Sequence, residues 1–138
     1  SPAFVQAMDD AVVALMIEKK EAVEDLDAIL SVKGIDMVQF GPSDYSMSMG
    51  LIGQRGHPAI REAEDHMIKV ALSKGIAPRV ELHSAQGAER YLALGVKHFC
   101  IGWDVRILFN WGKENGEAMR KVLGSAAGAT PATETGTY

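Results

Sequence analysis

Two acidic residues stand where a divalent cation could be held. Glu18 directly follows the apolar run 11–17, and Asp44 closes the tetrad Gly41-Pro42-Ser43-Asp44. Carboxylate oxygens with open positions beside them suit Mg2+ or Mn2+, which are hard, octahedral and keep several waters. A plainer reading exists for each. An Asp just past a strand often caps a helix, and a Glu there is often a solvated end. The tetrad adds successive backbone N–H groups that can cradle a small carboxylate or phosphate, although most Gly-Pro turns are only turns. Glu81, His83, Trp103 and Asp104 are the remaining polar or aromatic residues at strand ends. His83 reads as a surface residue beside a helix cap rather than as a general base. His57 begins a helix, His66 lies within it, and His98 marks the start of a strand, away from the chemistry. Cys100 sits in an apolar run and reads as core packing.

The elements that must position these groups follow from the hydrophobic pattern. Residues 4–10 read as the tail of a helix. Residues 11–17 form a continuous apolar run, the signature of a strand buried on both faces in a parallel sheet. Ala22, Val23, Leu26, Ile29 and Leu30 then recur at helical spacing up to a stop near Gly34. A short strand over 37–40 ends at Gly41-Pro42, and a Ser-, Met- and Gly-rich loop covers 45–56. Pro58 opens the next helix, with Ile60, Ala63, Met67, Ala71 and Leu72 as its apolar face. A third strand spans 76–82, interrupted by Pro78. Ser84 can cap a helix carrying Ala88, Tyr91 and Leu92. A fourth strand spans 99–103, and Asp104 can cap a last helix through Val122. Residues 125–138 turn to Ala, Gly, Thr and Pro, a composition expected to be disordered.

The order βαβαβαβα demands parallel strands and right-handed crossovers. Two architectures remain, a doubly wound open sheet and a barrel, and both place catalytic groups at the C-terminal ends of strands. A complete (β/α)8 barrel needs roughly 250 residues, so 138 residues hold about half of one. Four parallel strands alone leave two open edges, which another chain or another part of the protein must complete.

Composition excludes some functions. Net charge is -4 and no basic stripe occurs, which argues against a nucleic-acid surface. No apolar stretch reaches the ~18 residues of a membrane helix, and the first residues lack the charged and long apolar regions expected of a signal peptide. A single cysteine cannot form an internal disulfide, so a reduced, cytoplasmic setting is expected.

At Leu15-Met16-Ile17-Glu18 and Gly41-Pro42-Ser43-Asp44-Tyr45-Ser46 the sequence resembles the pyruvate-specific class II aldolases of the HpcH/HpaI type. That family includes 4-hydroxy-2-oxoheptanedioate aldolase and 2-dehydro-3-deoxyglucarate aldolase. The similarity runs from about Phe4 through Leu123 and includes Gly56-His57-Pro58, Gly75-Ile76-Ala77-Pro78, Tyr91-Leu92-Ala93-Leu94-Gly95 and Gly102-Trp103-Asp104. It implies an α/β fold, the C-terminal half of a TIM barrel with strands five to eight, over residues 1–124. It implies that Glu18 and Asp44 ligate Mg2+, Mn2+ or Co2+, and that the backbone of Ser43 and Asp44 holds the pyruvate carboxylate. Relatives often carry a substrate-holding Gln where this chain has Met16, and an apolar residue where it has Glu81. The family's catalytic His and Arg belong to the first half of the barrel and have no match here.

The resemblance further implies reversible aldol cleavage of a 4-hydroxy-2-oxo acid to pyruvate and an aldehyde. Rival readings are a citrate-lyase-like or malyl-CoA-lyase-like enzyme and a non-catalytic metal-binding half-barrel subunit. The first of these expects more basic residues for a CoA phosphate than the chain carries. The resemblance also implies an oligomer, in which the apolar surface of Val105, Leu108, Phe109 and Trp111 would meet a neighbour.

Overall fold

The computed structural model describes residues 1–124, which divide into two units, residues 1–101 and the described residues from 102 onward. The tail expected from residue 125 onward lies outside the described residues.

The first unit contains α1 (Pro2–Asp9), β1 (Ala14–Ile17), α2 (Lys20–Glu24), α3 (Leu26–Ile29), β2 (Met37–Phe40), α4 (Pro42–Ser48), α5 (Pro58–Ser73), β3 (Ala77–Leu82), α6 (Ala88–Ala93) and β4 (His98–Ile101). The strands form one parallel sheet in the order β1-β2-β3-β4. A doubly wound sheet reverses its strand order at a switch point. A straight order is the barrel arrangement, and it decides between the two architectures left open by the sequence.

One face of the sheet makes the core. Ile17, Val38, Phe40 and Val80 are buried together with Ile60, Ala63, Met67, Ile68 and Ala71 of α5 and Leu26 of α3. The α5 residues recur three and four apart, so they form one stripe, and the polar residues fall opposite. Burying the larger of these, the Val, Leu, Ile, Phe and Met side chains, stabilises by about 1.5–3 kcal/mol each. At the far end of α5, Lys74 ties back to Asp27 of α3 at 3.1 Å and to the hydroxyl of Ser31, just past that helix, at 3.1 Å.

Several expectations need correction. The first strand is shorter than 11–17, and Val12 is 69% exposed rather than buried on both faces. Regular pairing begins only at Ala14↔Met37. Before it, the Val13 N–H is taken by the Asp36 carboxylate at 2.8 Å, and the Val13 carbonyl accepts from both Asp36 and Met37. The single helix read after Glu18 is two short ones, broken at Asp25. The fourth strand begins at His98 and ends at Ile101, earlier than expected. Gly87, at φ 91°, precedes α6, so Ser84 does not cap it. Pro78 does lie within β3, buried and opposite Val38. The Ala77 N–H bonds the Asp36 carbonyl on the β2 side, so the next residue's nitrogen faces the other way. Pairing with β4 starts only at Arg79↔His98, so no hydrogen bond is lost at Pro78.

The second unit, as far as it is described, is α7 (Asp104–Leu123), a 20-residue helix that runs unbroken through Gly112 and Gly116. Trp103 occupies its N-cap position, and Asp104 is its first residue rather than its cap. The Asp104 carboxylate accepts from the Val105 N–H at 2.7 Å. Among the described residues no helix is long and apolar enough to cross a membrane.

Candidate active site at the strand ends

Side chains alternate along a strand, so Met16 and Glu18 share a face with Gln39, Gly41, Arg79 and Glu81. This is the face opposite the core residues Ile17, Val38, Phe40 and Val80. The pairing Ile17↔Phe40 carries Glu18 to the side of Gly41, and Gln39↔Arg79 carries Glu81 to its other side. The row at the C-terminal rim therefore reads Glu18, Gly41, Glu81.

Gly41 matters for what it lacks. A Cβ at that position would stand 2.8 Å from the Glu18 Cβ and 3.0 Å from its Oε2, with the Met16 Cγ at 3.5 Å. The absent side chain is the space in which the Glu18 carboxylate lies. The backbone supports the same approach, for the Gly41 N–H donates to the Ile17 carbonyl at 2.9 Å.

Gly41 is also the N-cap of α4, with Pro42 and Ser43 next and Asp44 in the first turn. The sequence reading placed a loop here, from residue 45 onward. The helix starts at Pro42 because a proline at N1 has the right φ and no N–H to waste, and an acidic residue in the first turn suits the positive end of the helix dipole. That pattern was present in the sequence and was read only as a turn. The helix is anchored by Tyr45, which is buried and packs on Phe40 with ring centroids 5.0 Å apart. Burial first, and the nearby Glu24 carboxylate second, raise the Tyr45 hydroxyl above its usual value, with Lys20 opposing. Ser46 is buried as well, its hydroxyl donating to the Ser43 carbonyl at 2.7 Å.

The two predicted ligands are thus brought to one rim: Glu18 lies over the residue that opens the helix bearing Asp44. Both are half-buried. Neither carboxylate has a hydrogen bond or ion pair to another described residue. Among the described residues no group of three or more His, Cys, Asp or Glu converges. Two carboxylates are a sufficient protein contribution for Mg2+ or Mn2+, which take their remaining ligands from water and substrate. The cradle over Gly41 and the all-oxygen donor set therefore fit such an ion. Lys19 is exposed, on the opposite alternation from Glu18.

One set of site neighbours was missed in the sequence. Arg79 Nη1 donates to Gln39 Oε1, and Gln39 Nε2 donates to Glu81 Oε2 at 3.4 Å. This chain fixes Glu81 beside Gly41 and accounts for the buried Gln39. The period-two placing of Gln39, Arg79 and Glu81 was the available signal. His57, read as the start of a helix, is the N-cap of α5, its Nδ1 accepting from the Ala59 N–H at 3.2 Å. His83 follows β3 and is exposed, His98 is the first residue of β4, and Cys100 is half-buried in β4 opposite Glu81.

In sequence and fold the chain is similar to known proteins. The chain is 37% identical over 108 residues to the 4-hydroxy-2-oxo-heptane-1,7-dioate aldolase of Escherichia coli strain SE11, an alignment covering 78% of this chain and 41% of that protein. The protein of the same description from Salmonella arizonae gives 37% over 108 residues. The chain thus spans about two fifths of the length of the curated relatives it matches. Among solved structures, an HpcH/HpaI aldolase from Desulfitobacterium hafniense DCB-2 superposes with a TM-score of 0.73 at 29% identity, over 87% of this chain and 47% of that one. The citrate synthase SbnG gives a TM-score of 0.77 at 25% identity, over 89% of this chain and 51% of that one. The four strands and their helices correspond to about half of these TIM-barrel proteins. Residues 4–110 match the family described as HpcH/HpaI aldolase/citrate lyase, and the chain belongs to that family.

Proposed function

We propose that this chain supplies the metal-binding half of a divalent-metal-dependent aldolase, which cleaves a 4-hydroxy-2-oxo acid reversibly to pyruvate and an aldehyde. The observation that carries the reading is the Glu18 carboxylate lying over Gly41, at the start of the helix that bears Asp44. Glu18 and Asp44 hold the ion. The backbone N–H groups of Ser43 and Asp44, in the first turn of α4, hold the carboxylate of pyruvate. Met16 flanks the same space and offers an apolar wall where many relatives hydrogen-bond. Mg2+, Mn2+ or Co2+, when bound there, supplies a Lewis acid that stabilises negative charge developing on the keto oxygen. No lysine is required as a Schiff-base nucleophile. The base that takes the proton from the substrate hydroxyl comes from outside this sequence, either from a partner chain or from another segment of the same protein.

The test is direct. Mn2+ binding to the purified chain is followed by electron paramagnetic resonance, and pyruvate binding by NMR with and without the ion. The expected result is Mn2+ binding that Glu18→Gln and Asp44→Asn each abolish, pyruvate binding that requires the ion, and no aldol cleavage by the isolated chain. A chain that ignores Mn2+, or one whose binding survives both substitutions, refutes the metal pair. Robust aldol cleavage by the isolated chain refutes the claim that its catalytic base lies elsewhere. The likeness to a citrate synthase keeps a second carbon–carbon chemistry in view. Displacement of pyruvate by a tricarboxylate, but not by a 4-hydroxy-2-oxo acid, would favour it.

A further inference from the structure

The two carboxylates sit on segments that are separate in sequence, and something must fix the distance between them. Glu18 ends β1, and the chain enters α2 two residues later. The first N–H groups of a helix have no intrahelical acceptor, and a serine, threonine, asparagine or aspartate at the N-cap normally supplies one. The N-cap of α2 is Lys19, which makes no such bond. Its place is taken from across the molecule, for the Lys20 N–H donates to the Ser48 hydroxyl at 3.0 Å. The same hydroxyl donates to the Tyr45 carbonyl at 2.8 Å, so its donor and one acceptor site are both used and its direction is set.

Ser48 stands four residues after Asp44 in α4, so the two lie on one face of the helix, a turn apart. Lys20 stands two residues after Glu18. One hydroxyl therefore links the helix that carries one carboxylate to the turn that carries the other.

We propose that Ser48 is a positioning residue for the metal pair: it caps α2 from α4 and thereby sets the separation of Glu18 and Asp44. This rests on the metal reading above. It assigns Ser48 no contact with ion or substrate. Removing the hydroxyl leaves the Lys20 N–H to water and lets the Glu18 turn move relative to α4.

The experiment compares Mn2+ affinity and the Mn2+ paramagnetic resonance spectrum for the parent chain, Ser48→Ala, Ser48→Thr and Ser73→Ala. Ser73 is the control, because its hydroxyl also bonds a carbonyl of its own helix but lies at the end of α5. Ser48→Ala should weaken Mn2+ binding by about tenfold, the lower end of what supporting groups around metal ligands contribute. It should also broaden the spectrum and speed hydrogen exchange at the Lys20 amide. Ser48→Thr, which keeps the hydroxyl, should restore all three, and Ser73→Ala should change none. If Ser48→Ala fails to fold, Ser48→Cys carries the same comparison, since it keeps the volume and weakens the acceptor. Parent-like affinity in Ser48→Ala, or no recovery in Ser48→Thr, overturns the positioning role while leaving the metal pair standing. Absence of Mn2+ binding in the parent chain overturns both.

Discussion

At the scale of single residues, the site depends on a missing side chain as much as on the acids. Gly41 has φ -103°, which any residue can adopt, so backbone strain does not explain the glycine. Contact does: a Cβ there meets the Glu18 Cβ at 2.8 Å. Gly41→Ala should therefore push the Glu18 carboxylate out of its place. We expect an overpacking cost of about 1–3 kcal/mol and a loss of Mn2+ affinity of about tenfold or more. Urea denaturation and Mn2+ titration check the two effects separately, and unchanged affinity would mean that Glu18 has freedom to move aside. The identities of Glu18 and Asp44 as candidates were readable in the sequence, because each follows a strand. What the sequence did not reveal was the approach that relates them. Gly41 beside Glu18 is a consequence of strand register, and register is decided by residues such as Val38 and Phe40 that face the opposite side.

At the scale of elements, α5 and α6 are joined by a polar clamp. Arg90 pairs with Asp65 and, at 3.4 Å, with Glu64, while the Tyr91 hydroxyl meets Glu64 at 3.1 Å. The guanidinium also stacks 4.8 Å from the Tyr91 ring centre. Burial lifts the Glu64 carboxyl above its usual value of 4.5, and the Tyr91 hydrogen bond and the Arg90 charge offset only part of that. With the folded value raised, the folded chain binds more protons than the unfolded one between 4.5 and that raised value, so this group's contribution to stability is lost as pH rises through the interval. Glu64→Gln removes that dependence and retains an acceptor for Tyr91. The stability of the parent relative to Glu64→Gln should fall from pH 4 toward neutrality, as measured by urea unfolding at a series of pH values; parallel curves would contradict it. The strands were legible as short apolar runs, though not to their exact ends, and α5 from the helical spacing of its apolar residues. The short α4 was not. Seven residues offer too few turns for a periodic signal, and its start is marked only by Pro42 and the acidic Asp44.

At the scale of the whole molecule, the straight strand order leaves β1 and β4 each with one partner among the described residues. Open edges of this kind are templates for further pairing. The face opposite the core carries Met16 at 52% exposure beside the polar chain of Gln39, Arg79 and Glu81. Light scattering coupled to size exclusion should therefore find the purified chain in species larger than its 14.9 kDa monomer. A monodisperse monomer would show that solvent satisfies both edges. Barrel topology was anticipated from the alternation of strands and helices and from the family resemblance, whereas pattern alone left a doubly wound sheet equally open. Only the order in which strands lie side by side separates the two, and that order is a property of tertiary contacts.

Pro78 has a use beyond being tolerated. Its nitrogen faces β4, and the ladder between β3 and β4 opens one residue later, at Arg79↔His98. A slip of β4 toward the N-terminal end of β3 would call for a hydrogen-bond donor that the proline ring cannot provide. The imino acid thus acts as a backstop against misalignment in that direction. Because Cys100 stands level with Glu81 only in this alignment, the level of the rim at β4 is protected by a residue three positions below it.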